Sequence, residues 1–199
     1  MSMNANYAVG ARFRRARPQR GFTMLEVLVA LLILLIGLLG LAGMLVTTQQ
    51  GEVEAYQRKQ ATVLVQDMVD RMLANHVAAD CYVTTAATGG SASQGTGYGG
   101  SFACGGGTGA RAVADLQAWN NALLGTSEKK GVADVGSIID ARGCVTSPEP
   151  RVYTVSVAWR GLAPTVAPPA AYACGQNQYT DERLRRVISV TVRVGNLIA

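Results

Sequence analysis

A chain of 199 residues, 49% hydrophobic and only 16% charged, holds one modest core and excludes a highly charged disordered protein. Its net charge of +5 sits at the front: Arg12, Arg14, Arg15, Arg17 and Arg20 stand in residues 1–21 with no acid among them. Removing those five from the eighteen basic side chains leaves thirteen against thirteen acids, so the remainder is neutral and its composition gives no sign of a nucleic-acid-binding surface.

Residues 22–46 read FTMLEVLVALLILLIGLLGLAGMLV, and from Val27 to Val46 no charge interrupts them. Twenty residues of helix measure about 30 Å, the thickness of a bilayer's hydrocarbon layer. This excludes a fully cytosolic protein, and a single span cannot form a channel alone. The arginines precede the span, and cytoplasmic flanks are the ones enriched in such residues. The expectation is an N-terminus held inside, with everything beyond Val46 exported. In a bacterium the exported part would stand in the oxidising periplasm. Cys81, Cys104, Cys144 and Cys174 all fall on that side, and four cysteines make two bridges in any of three pairings.

An ordinary secretory signal has a shorter apolar run closed by a small-residue cleavage site. Here the run is longer and passes directly into TTQQGEVEAYQRKQATVLVQDMVDRMLAN. A plain signal anchor explains the length but leaves Glu26 without a reason. Intramembrane acids are costly and mark function. Arg20-Gly21-Phe22-Thr23-Met24-Leu25-Glu26 resembles the prepilin cleavage motif of the type IV pilin superfamily. That resemblance implies a cut between Gly21 and Phe22 by a prepilin peptidase, N-methylation of Phe22, and retention of the span. The stretch GFTMLEVLVALLILLIGLLGLAGM with QATVLVQDMVDRMLAN is similar to the PilV group of minor pilins, the type IV pilus modification proteins. The second segment discriminates more, and the two cover about the first 75 residues.

Glu26 has a physical logic of its own. In a helical filament built from such spans its carboxylate would be buried and would need a positive partner. The amine freed on a neighbouring subunit's Phe22 is the available one, and the resemblance likewise implies that this glutamate guides subunit docking. The plainer alternative is a side chain that reaches out to the membrane interface.

The first helix is expected to run from Phe22 to about Asn75, some 80 Å, since no proline occurs between Phe22 and Pro148. Beyond the span, Val53, Tyr56, Val63, Leu64, Met68 and Met72 form an apolar stripe at spacings of three, four and seven. Glu54–Arg58 and Asp67–Arg71 are acid-before-base pairs four apart. Gly37, Gly40, Gly43 and Gly51 allow either close helix packing or local melting on assembly.

The head, residues 76–199, opens with a Gly-, Ser- and Thr-rich stretch at 86–110 that reads as a loop. It lacks the Lys-Ser/Thr of a phosphate-binding loop, and no clear strand leads in. Cys81 and Cys104 bracket most of it, so a bridge between them would staple the loop to the helix end. Residues 112–124 read as a short helix with Val113, Leu116, Trp119, Leu123 and Leu124 as its apolar set and Gly125 as its stop. A strand is expected within 132–146, around Ser137-Ile138-Ile139. Residues 151–159 alternate, with Tyr153, Val155, Val157 and Trp159 on the core side. Pro164, Pro168 and Pro169 mark a long connection, and 185–194 is a second alternating strand. Cys144 and Cys174 flank the Trp-bearing strand and are paired by default, although sequence alone does not choose. The fold class is α+β, with a long N-terminal helix packed on a small antiparallel sheet, the pilin-like arrangement.

Enzyme chemistry has little to stand on, and no catalytic residue, cofactor or metal is assigned. The one histidine, His76, ends the long helix and reads as solvated or capping. A zinc site from the four cysteines lacks a close pair, and Asp67 with Asp70 beside Arg71 fits a solvated face. The basic segment before the span reads as a topology signal rather than a ligand for nucleic acid or acidic lipid. The resemblance therefore implies a minor pilin acting in type IV pilus assembly, in a priming or tip complex. Its partners would be the prepilin peptidase, the inner-membrane assembly platform, other minor pilins and the major pilin. A pseudopilin of a type II secretion system is the alternative, and a membrane-anchored periplasmic enzyme or binding module is the third class.

Overall fold

The computed structural model describes residues 21–84, 93–126, 128–134 and 138–195. Residues 1–20, most of the leader, lie outside it, as do 86–92 of the Gly-rich stretch and Ser137 of the apolar run. The elements are α1 (Met24–Ala74), a 3-10 helix (His76–Tyr82), β1 (Gln94–Gly95), α2 (Gly107–Leu124), β2 (Lys129–Lys130), β3 (Ala133–Asp134), β4 (Arg142–Glu149), β5 (Val152–Arg160), a 3-10 turn (Glu182–Leu184) and β6 (Arg185–Arg193). By contacts the chain divides into two units, Met1–Val46 and Thr47–Ala199, the boundary falling where the apolar run ends.

In the first unit, α1 is helical through Gly37, Gly40 and Gly43, and every described side chain is exposed. Among the described residues no element of this unit covers its apolar surface. The second unit is an α+β body. A four-stranded sheet runs in the order β1-β4-β5-β6, all neighbours antiparallel, and β2 pairs with β3 in a separate ribbon. Arg151, with φ of 65°, turns β4 into β5 through Pro150-Arg151. Val145 faces Val155, and Val155 faces Val190, along the sheet's inner side.

The core joins Val65, Met68 and Met72 of α1 to Leu116, Trp119 and Leu123 of α2 and to Val145, Tyr153, Val155, Val157 and Trp159 of the sheet. The expected inner face of β5 is thus the buried one. Its outer face is covered in part, since Ser156 and Ala158 are buried while Thr154 is half-buried. Ala158 packs with Cys174 and Tyr179, so the proline-bearing connection lies across this side of the sheet. Arg185, only 1% exposed, fastens it by donating to the carbonyls of Tyr172 (2.6 Å) and Cys174 (3.1 Å) and to Glu182 (2.6 Å).

Three local expectations are corrected. The buried stripe of α1 is Gln57, Ala61, Val65, Met68, Val69 and Met72, whereas Val53, Tyr56 and Val63 are exposed. Both sides of this helix carry apolar residues, so periodicity alone cannot select the side that packs. The strand begins at Arg142, because Asp140, at φ of 55°, turns the chain just after Ile139. Finally, α2 starts at Gly107, inside the stretch read as loop. Gly109 permits this, because a Cβ there would sit 3.0 Å from the Cys104 carbonyl. At the other end Gly125 takes φ of 69° and closes α2 as expected.

Gly143 lies under the Trp119 ring, and a Cβ at Gly143 would come within 2.6 Å of both Trp119 Cζ3 and Leu123 Cδ1. Gly143→Ala is therefore expected to destabilise the protein by about 1–3 kcal/mol through overpacking. Thermal or denaturant unfolding of the full chain in detergent measures it.

Candidate functional site

Gly21 and Phe22 stand just before α1, in open surroundings. A Cβ at Gly21 would meet nothing within 4 Å, and Phe22 is 83% exposed. Thr23 begins the helix. Its Oγ1 accepts the Glu26 N–H at 3.2 Å, and its carbonyl accepts the amides of Glu26 (3.1 Å) and Val27 (3.3 Å). Glu26 sits in the first turn, where the helix dipole favours a negative charge. The sequence reading missed this role for Thr23, although Thr-x-x-Glu ahead of an apolar run is a helix-start signature. Glu26 therefore has a local reason to be acidic in addition to any role between subunits.

Beyond Glu26 the side chains offer water only hydrocarbon, as at Ile33 (64% exposed) and Leu39 (73%). A helix apolar on every side is stable only in lipid or among similar helices. No atom lies within 4 Å of a Cβ built on Gly37, Gly40 or Gly43, so within one chain these glycines accommodate no neighbour.

The polar groups of the head form a structural knot. Asp115, buried at the α2 surface, accepts from Tyr82 Oη at 2.6 Å and from Arg71 Nη1 at 3.3 Å. Arg71 also donates to Asp67 at 2.9 Å, which is the expected helical pair. Asn75 Nδ2 donates to Tyr82 Oη (3.2 Å) and to the Thr108 carbonyl (3.0 Å). Burial, helped by the bond to Asp115, pushes the Tyr82 phenol up to about 12. Burial and the 2.5 Å bond to Asp80 do the same for Tyr153, also to about 12. His76 is half-buried and its side chain takes no part in these bonds. Asp70 accepts from Gln66 at 3.1 Å. The cysteines are joined as Cys81–Cys104 and Cys144–Cys174. Among the described residues no group of three or more His, Cys, Asp or Glu could hold a metal ion.

The prokaryotic N-terminal methylation motif matches residues 16–42. No curated protein and no solved structure matches the chain. The motif supports a type IV pilin-like or pseudopilin protein, and the family that bears it is structural rather than enzymatic. It implies processing by a prepilin peptidase and handling by pilus-assembly machinery in general. Together with the apolar N-terminal helix it suggests membrane anchoring followed by a place in a pilus. The match ends at Ala42, so the head lies outside it.

The two raised phenols fix a pH dependence. Their folded-state value, about 12, lies above the ordinary 10, so folding favours the neutral form. The stability this adds is complete below pH 10 and is lost as pH climbs from 10 toward 12. Tyr82→Phe is expected to lose about 1.5–3 kcal/mol at neutral pH, because Asp115 loses a charge-assisted bond. It should also flatten the alkaline loss of stability, read from unfolding curves at pH 8–12.

Proposed function

We propose that this chain is a minor pilin of the PilV kind, acting in type IV pilus assembly within a priming or tip complex. It is made with a leader, residues 1–21, that is removed by cleavage between Gly21 and Phe22, after which Phe22 is N-methylated. The span 22–46 holds the precursor in the inner membrane with the head in the periplasm, until the subunit enters the filament or its tip. Glu26 docks the subunit by pairing with the amine of a neighbour. Other minor pilins, the major pilin and the inner-membrane assembly platform are its partners.

The observation that carries this reading is the N-terminal methylation motif set on a helix of 51 residues whose first part is apolar on every side. Such a surface is satisfied first by lipid and later by sister helices. The two disulfides support an oxidising compartment for the head. QATVLVQDMVDRMLAN supports the PilV assignment over other pilin-like groups.

Mass spectrometry of the mature protein is expected to find an N-terminal Phe22 bearing one methyl group. Gly21→Ala should leave the longer form accumulating with unchanged thermal stability, because the added methyl meets open space. A native N-terminus at Met1, or one beyond the span, would overturn the proposal. Glu26→Gln should be cut normally, yet its recovery with other pilins should fall at least ~10-fold, as removal of one partner from a buried ion pair predicts. Recovery of the wild-type chain with secretion pseudopilins instead of pilins would assign it to the type II system.

A further inference from the structure

The connection that crosses the outer side of the sheet leaves part of that side open. Ser156 is buried there, Thr154 is half-buried and Thr191 is exposed. All three line a cavity of about 380 Å³. Its floor is two rungs of the sheet. Cys144 pairs with Ser156 and Ser156 with Ser189, while Thr146 pairs with Thr154 and Thr154 with Thr191. All six residues line the cavity, and residues two apart on a strand project to the same face. Residues 171–175 of the connection line it as well. That wall is held by the Cys144–Cys174 disulfide and by the bonds from Arg185 to the carbonyls of Tyr172 and Cys174.

Among the described residues of the lining none is Asp, Glu, Lys, Arg or His. The cations of the flanking rungs have acids of their own. Arg142 donates to Asp140 (3.2 Å) and to the Thr96 carbonyl (2.8 Å), and Arg193 stands 4.0 Å from Glu149. An ion entering this cavity therefore finds no free counter-charge, and an unpaired buried charge is costly. The hydroxyls suit a neutral guest instead. Ser156 and Ser189 share a hydrogen bond of 2.7 Å, and Thr154 and Thr191 share one of 3.0 Å. Whichever partner donates, the other keeps its O–H, so each pair still offers a donor beside several lone pairs. Alcohols, which donate and accept through the same atom, match such a surface. Tyr172, 47% exposed, adds an aromatic residue to the wall, and aromatic faces attract C–H groups. A sugar ring carries both hydroxyls and C–H faces, and the cavity falls within the ~300–1,000 Å³ range of small-molecule sites. We propose that this cavity binds a neutral sugar, free or as one unit of a glycan, with the two hydroxyl pairs exchanging hydrogen bonds with its hydroxyls. The site needs only the fold of the second unit, and neither the span nor the processing proposed above.

The test uses the full chain in lauryldimethylamine oxide, a detergent without a sugar headgroup, and saturation-transfer difference NMR. The probes are the methyl glycosides of glucose, galactose, mannose and N-acetylglucosamine, with glucuronic acid and glucose 6-phosphate as charged counterparts. The expected result is saturable transfer to at least one neutral glycoside and none to the charged sugars. Tighter binding of the matching trisaccharide, such as maltotriose against methyl glucoside, assigns a glycan chain, and equal affinity assigns the free sugar. The double variant Thr154→Val/Thr191→Val removes one hydroxyl pair at positions where valine is a good strand former. It should keep its thermal stability and bind at least ~10-fold more weakly. No saturable transfer to any of the four glycosides, equal affinity in the double variant, or charged sugars binding as tightly as neutral ones would each overturn the assignment. Because cleavage at Gly21 is read separately from the mature mass, a correctly processed chain that binds none of the glycosides refutes this inference alone.

Discussion

Trp119 is the point at which the head's three layers meet. Its indole N–H reaches the Leu64 carbonyl of α1, its ring covers Gly143 of β4, and its own helix supplies Leu116 and Leu123 beside it. A mid-helix carbonyl already serves its own helix, so the extra bond from a buried indole also fixes the position of α2 along α1. The glycine beneath the ring then sets how closely α2 approaches the sheet. Val65, Met68 and Met72 then share one core with Val155 and Val157, and Asp115, Tyr82, Asn75 and Arg71 form a polar knot beside it.

The two sides of the sheet are covered by different means, one of them only in part. Helices cover one face. The other is covered by a connection with little regular structure, held by a disulfide, by Arg185 reaching two carbonyls, and by Arg142 under the Tyr179 ring at 5.5 Å from the centroid. Backbone that forms no ladder must find partners elsewhere. Buried arginines with several donors are suited to that task. The hydroxyl pairs Thr154–Thr191 (3.0 Å) and Ser156–Ser189 (2.7 Å) lie on this same outer face, which is why β5 and β6 read as half-polar strands although much of β5 is buried.

Much of the fold was legible because its main elements have strong local signals. The alternation in β5 and β6, the glycine that stops α2 and the long proline-free run of α1 each follow from a single periodicity or a single residue. What sequence could not supply depended on partners distant in the chain. The stripe of α1 shifted because Ala61 and Val65 enter the shared core, while Val53, Tyr56 and Val63, equally apolar, stay exposed. Ile138-Ile139 looked like a strand, but a left-handed aspartate after it delays the ladder. The early start of α2 through Gly107 and Gly109 brings Gly109 against the backbone of Cys104, a contact invisible to propensity. At the N-terminus, Gly21, Phe22 and Glu26 fall within the matched methylation motif, a linear pattern that can be read without the fold.

The two disulfides close rings with sequence separations of 23 and 30 residues. One ring begins a few residues after α1 ends, and the other encloses the hairpin strand β5. Under tension applied at the two ends of the chain, neither ring can be drawn out, whatever happens to the hydrogen bonds inside it. The length the molecule can yield is therefore capped by covalent bonds, a useful property for any component of a fibre that is pulled.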